Sequence, residues 1–173
     1  MMSADLGLEQ RLRRLEDIQA LTVLKHRYCE YCDDGYNAEK IAALFTEDAT
    51  WNGGALGRAR TRAKIAIYFA ASSQLVPFAI HHVTNPLIEV DGDRAACRWY
   101  LWQPMVMRDV EDALWYAARY DDVCVRQDGV WLFQSVEITT RMLSPYAAGF
   151  RQTPILDLAQ ADLRRDGHAP RAE

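Results

Sequence analysis

The order in which two hydrophobic periods follow one another most constrains what this chain can fold into. From Leu8 the apolar residues recur every three or four positions, through Leu12, Leu15, Ile18, Leu21, Leu24 and Tyr28 to Cys32. That is the period of a helix with one buried stripe. It predicts one long amphipathic helix, with a bend allowed near Asp17, that stops at Asp33-Asp34-Gly35, where Gly35 is a C-terminal signal. Asn37 is placed to cap a second helix, Ala38 to Phe45, and Thr61 a third, from about Arg62 to Ala71. A short strand, Ala49 to Trp51, lies between them.

From Phe78 the pattern changes to strands: Phe78 to Val90, Ala95 to Met107, Ala113 to Arg126 and Val130 to Met142. Asp91-Gly92 and Asp128-Gly129 are hairpin signals. Helices followed by long hairpin-linked strands predict an α+β domain with an antiparallel sheet. The domain is expected to span residues 1–146, with 147–173 as a polar tail of weak helical character at Leu156 to Leu163.

The chain has 173 residues, enough for one domain that buries its own core. Lys plus Arg total 20 and Asp plus Glu 24, a formal charge of −4, which argues against nucleic acid as a partner. No apolar run approaches the roughly 18–20 residues of a membrane span. Met1 to Arg14 is charged and lacks a secretory apolar core, so a cytoplasmic location is expected. Cys29-x-x-Cys32 has no second close pair, so Cys29, Cys32, Cys97 and Cys124 are expected as buried thiols. Without a Gly-rich phosphate loop or an H-E-x-x-H, no metal and no nucleotide cofactor is expected.

The aromatic content is unusual, with five Trp and eight Tyr against five Phe. Buried Trp and Tyr need partners for their N–H and O–H groups, which points to a semi-polar interior. On one strand Trp99, Leu101 and Gln103 share a face, and Tyr100 and Trp102 share the other. An outward face carrying Tyr and Trp is an association patch. A homodimer or higher homo-oligomer through the sheet is therefore expected.

Two of the four histidines, His81 and His82, are adjacent on an apolar strand, so one of them must face the interior. An inward imidazole needs a partner, and Asp33 or Asp34 at the helix end is the available carboxylate. Paired Asp before Gly is also ordinary turn chemistry.

An ordered set of motifs now becomes informative. It comprises Asp33-x-Gly35, Leu44-Phe45-Thr46-Glu47-Asp48-Ala49 with Trp51, His81-His82-Val83-Thr84-Asn85, Arg98-Trp99-Tyr100-Leu101 and Asp128-Gly129-Val130-Trp131-Leu132-Phe133. From about Leu15 to Tyr146 this resembles a SnoaL-like domain of the nuclear transport factor 2-like superfamily. The resemblance implies a cone: a curved antiparallel sheet wrapped around N-terminal helices, with a pocket at the wide end. Its members include polyketide cyclases, scytalone and bile acid dehydratases, steroid isomerase-like enzymes and a dehydrochlorinase, besides binding domains without catalysis. Fold alone does not choose among them.

The resemblance maps a helix Asp that orients a strand His onto Asp33 and His81, with Asp34 the alternative one residue on. The bile acid dehydratase branch adds a Tyr that falls on Tyr28. Its pocket Asp falls on Gln103, and its pocket Arg at or beside Arg141. The dehydrochlorinase branch uses a helix Lys and a last-strand Arg, which fall near Cys29 and Val136, so neither is present. Trp51, Trp99 and Trp115 are candidate pocket walls. The resulting expectation is a cofactor-independent lyase or isomerase, dehydration slightly favoured, acting by Asp–His proton transfer on an apolar, ring-containing molecule. The alternatives are a non-catalytic binding or dimerisation module, and a structural subunit like the β subunit of a ring-hydroxylating dioxygenase.

Overall fold

The computed structural model describes residues 7–158. Helix α1 (Leu8–Asp33) is one uninterrupted element that ends where the sequence predicts. The helix is buried only from Asp17 onward; Leu8, Leu12 and Leu15 remain exposed. Helix α2 (Ala38–Ala42) is shorter than expected, since Phe45 already belongs to strand β1 (Phe45–Asn52). Strand β2 (Arg58–Arg60) and helix α3 (Arg62–Leu75) follow, with Asn37 and Thr61 capping α2 and α3 as predicted.

The expected strand Phe78 to Val90 is broken in two, β3 (Phe78–Ala79) and β4 (His82–Asp91). Strands β5 (Arg94–Val106), β6 (Leu114–Gln127) and β7 (Val130–Pro145) complete a strongly curled sheet. Its order is β2-β1-β7-β6-β5-β3, with β4 also paired to β5. All pairings are antiparallel except β1 with β7. Pro86 sits on β4 at the sheet edge, where its missing N–H costs no ladder bond, beside a register shift between Thr84 and Leu87. Beyond β7 a short helix α4 (Gly149–Gln152) leads to Ile155, which bridges back to Leu143. The weak helix expected at Leu156 to Leu163 lies mostly outside the described residues.

Inward residues alternate along β5 and β6 and close over α1, forming one core that includes Leu21, Tyr28, Trp99, Tyr120 and Phe133. Two charged groups on α1 lie inside it. Asp17 accepts hydrogen bonds from Trp131 Nε1 at 3.1 Å and from the Arg126 guanidinium at 2.9 Å. Lys25 is fully buried and pairs with the equally buried Asp122 of β6 at 3.0 Å. Its ammonium lies over the Tyr120 ring, 3.2 Å from the centroid. Burial pushes the Asp122 carboxyl upward, while Lys25 and the Trp99 N–H pull it back.

Removing one partner of a buried ion pair leaves the other unpaired, at a cost of about 3–5 kcal/mol. Lys25→Met is therefore expected to destabilise the fold by that amount, and the double variant Lys25→Met/Asp122→Leu to recover most of it. Urea unfolding checks both; equal losses in the single and double variants would show that something other than the stranded carboxylate is responsible.

Candidate active site

The end of α1 builds the site. Asp33 is its last residue, and the chain then reverses through two consecutive left-handed residues, Gly35 (φ +64°) and Tyr36 (φ +55°). Asn37 N–H returns to the Tyr31 carbonyl at 2.9 Å and Tyr36 N–H to the Cys32 carbonyl at 3.0 Å, which satisfies helix-end acceptors. The turn leaves the Asp33 carboxylate at the gap between β3 and β4.

That gap explains the broken strand. The His81 backbone N–H donates to both Asp33 carboxylate oxygens, each at 3.1 Å, instead of to a neighbouring strand. The His81 ring Nδ1 lies 2.6 Å from Asp33 Oδ1. The carboxylate thus holds the residue by main chain and ring together. The His81 side chain is 5% exposed and Asp33 29%. With Nδ1 committed to Asp33, Nε2 is the ring nitrogen left for the cavity that His81 lines. His82 is exposed and opposite Trp102 on the sheet. Asp34 is 64% exposed and pairs with Lys40 at 3.6 Å, so it is Asp33 that meets His81.

The cavity beside this pair has a volume of about 90 Å³ and opens to solvent. Its floor is Tyr28 and Trp51, joined by a 3.0 Å hydrogen bond from the indole N–H to the phenol oxygen. Around Tyr28 stand Phe45, Phe69, Tyr120 and Phe133 in edge or T-shaped contact. Tyr36, Tyr68 and Tyr116 add three more phenols to the lining, with Gln103 and Ser72 as the neutral polar groups. Burial raises Tyr28, Tyr36, Tyr116 and Tyr120 above the usual phenol range, and Tyr68 to about 12. The phenols are therefore neutral near pH 7. At the mouth, Tyr68 donates to the Leu56 carbonyl at 2.8 Å. Gly57 (φ +124°) permits that approach, since a Cβ there would fall 2.8 Å from the Tyr68 ring.

Of the candidates read from the sequence, Asp33, His81, Tyr28, Trp51 and Gln103 converge on this cavity or its rim. Three do not. Trp99 does face inward with Gln103, but four residues deeper, about 13 Å along the strand, at the closed end beside Asp122. Trp115 alternates with inward Leu114 and Tyr116, so it lies on the outer face, stacked on Trp102 at 5.3 Å. Arg141 is the extra residue of a bulge, since Met142 pairs with Ala117 and Thr140 with Ala118; the bulge leaves it exposed. Tyr36, Tyr68 and Tyr116 were not anticipated; for Tyr116 the signal was its strand parity with Tyr120. The four cysteines are buried and unpaired, and burial pushes Cys29 up to about 12. Among the described residues no three His, Cys, Asp or Glu converge as metal ligands.

The Asp33–His81 geometry makes a spectroscopic prediction. In ¹⁵N–¹H spectra near neutral pH His81 should show a proton on Nδ1; Asp33→Asn should lose that signature and Asp34→Asn should keep it. The reverse result would assign the partner to Asp34.

Comparison with known proteins agrees with this architecture. No curated protein sequence matches the chain. Among solved structures, a protein from Novosphingobium aromaticivorans provisionally assigned as a scytalone dehydratase is 23% identical, with a TM-score of 0.70 over 77% of this chain and 89% of that one. The hexachlorocyclohexane dehydrochlorinase LinA-type3 from Novosphingobium barchaimii is 20% identical, with a TM-score of 0.73 over 80% of this chain and 96% of that one. A protein of unknown function from Mycobacterium tuberculosis is 22% identical, with a TM-score of 0.69 over 93% and 96% of the two chains. At these identities the likeness is one of fold. The pattern of a named family covers most of the chain, residues 13–137, and on that match the protein belongs to the SnoaL-like domain family.

Proposed function

We propose that the protein is a cofactor-independent lyase or isomerase in which the Asp33–His81 pair transfers a proton at carbon, with elimination of water slightly favoured over isomerisation. The observation that carries this reading is the 2.6 Å contact between His81 Nδ1 and Asp33, with the imidazole on the wall of an apolar cavity. Asp33 fixes the tautomer and stabilises the imidazolium that forms when Nε2 takes a proton. The electron pair left on carbon is delocalised into an adjacent carbonyl, whose oxygen needs a donor from the lining. In a dehydration, the imidazolium then returns its proton to the departing hydroxyl, so one base serves both halves of the reaction. A carbonyl that activates the carbon acid makes a metal unnecessary for this chemistry. The aromatic lining suits an uncharged, ring-containing substrate. The LinA and dehydratase-like neighbours support a lyase class, without fixing the substrate.

The exposed aromatics on the outer face support self-association. Tyr100 and Trp102 are 47% and 41% exposed, and Trp102, Trp115 and Tyr146 form a contiguous row. Sedimentation should find a dimer or larger species that Trp102→Lys shifts toward monomer; a wild-type monomer at high concentration would remove this part of the reading.

Proton abstraction can be tested before the substrate is known. In deuterium oxide the protein should accelerate exchange of the α-protons of 2-tetralone, and His81→Ala should slow it by about 10²–10⁴. Exchange by His81→Ala at the wild-type rate would overturn the acid–base role.

A further inference from the structure

We infer that Tyr36, together with Gln103, forms the clamp for the substrate oxygen beside His81; this rests on the acid–base reading and adds the electrophilic half of the site. Three observations converge on Tyr36. Its backbone occupies the left-handed region at φ +55°, which is unfavourable for a residue that carries a side chain. Such strain at a cavity wall points to a placed side chain. The ring is locked in position, stacked on Phe69 with centroids 6.1 Å apart and set edge-on to His81 at 6.2 Å. Finally, Tyr36, Gln103 and His81 line the same cavity, so the phenol and the amide can reach one bound molecule together with the base.

Gln103 has capacity to spare. It is 4% exposed on β5, and its amide N–H donates to Met105 Sδ at 3.2 Å, a thioether and hence a weak acceptor. A carbonyl or enolate oxygen is a far better acceptor for the same group. Burial raises the Tyr36 phenol, so near pH 7 it is neutral and brings a proton to donate. Tyr28, the phenol singled out by the sequence, is differently placed. Its oxygen already accepts from Trp51, and four aromatic rings surround it. It builds the floor, whereas Tyr36 sits on the same wall as the base.

The step balances without another reactant. His81 Nε2 takes the proton from the carbon next to the carbonyl. The C–H electron pair becomes the C=C bond, and the carbonyl π pair moves onto oxygen, which Tyr36 O–H and Gln103 N–H hold.

2-Naphthol is a planar mimic of the enol of 2-tetralone, and naphthalene is the same shape without the oxygen. Equilibrium binding of the two, each to wild type and to Tyr36→Phe, isolates the hydroxyl. The wild type should prefer 2-naphthol, and Tyr36→Phe should lose about tenfold in 2-naphthol affinity while binding naphthalene within twofold of wild type. Wild-type indifference between the probes, or an unchanged preference in Tyr36→Phe, overturns the clamp. So does an equal loss for both probes, which would mean that the substitution only disturbed packing. The acid–base reading has its own readout: if His81→Ala keeps full exchange while Tyr36→Phe loses the 2-naphthol preference, the base assignment fails and the clamp stands.

Discussion

The arrangement depends on how one helix is registered against the curled sheet, and the fully buried Lys25–Asp122 pair fixes that register. Apolar packing alone tolerates small slips of a helix across a sheet, because dispersion contacts are individually weak and non-directional. A charge with no access to water does not tolerate them. Displaced by one helical residue, about 1.5 Å along the axis and 100° around it, the ammonium would lose Asp122 and the Tyr120 face together. Eight residues further along the same rigid rod, Asp33 arrives at the gap between β3 and β4. The position of the carboxylate on His81 is thus set some 12 Å away, by a contact that never touches the cavity. Asp17, held by Trp131 and Arg126, secures the opposite end of the buried stripe.

The same logic explains why His81 interrupts the sheet. A strand residue normally directs its N–H to a neighbour, and a buried N–H without a partner is costly. Here the Asp33 carboxylate replaces the neighbour and takes the ring as well. The imidazole is therefore oriented by the protein fold itself and not by side-chain rotamer preference alone. A residue held at both main chain and ring has little freedom left to lose when substrate binds, which is what positioning a base requires.

Much of this was legible in the sequence, and the parts that were not have physical reasons. The helix stop at Asp33 follows from a stripe that ends at a Gly signal, and the four long strands follow from alternation and Asp-Gly turns. The break at His81 was invisible, because nothing local distinguishes an N–H bound to a distant carboxylate from one in a ladder. Lys25 was overlooked because charge reads as a wet face, although it lies four residues after Leu21 and three before Tyr28, on the buried stripe. Its partner carried the matching signal: Asp122 has the same parity as inward Tyr120 and Cys124. Trp99 shows the limit of parity reasoning. Alternation tells which side chains point inward, but not where along the strand the core stops being solid and the cavity begins. Tyr36 lies beyond such rules altogether, since its placement comes from two left-handed residues in succession and not from any period.

The excess of Tyr and Trp over Phe finds its explanation in how the chain separates charge from polarity. Its buried charges, Asp17, Lys25 and Asp122, are outside the cavity lining, and Tyr28 and Tyr120 stand between the Lys25–Asp122 pair and the open volume. The cavity itself is lined by phenols that burial keeps protonated, together with an amide and a hydroxyl. Phe in their place would leave an apolar void unable to hold a substrate oxygen, and ionised side chains would demand solvation that the cavity does not offer. Neutral donors meet both constraints. In such a lining the imidazole of His81 is the group with a ring nitrogen able to take a proton, and the Asp33 carboxylate that orients it is 2.6 Å away at the rim. Proton transfer is thereby confined to one wall, and the remaining walls can orient a neutral molecule without competing for its proton.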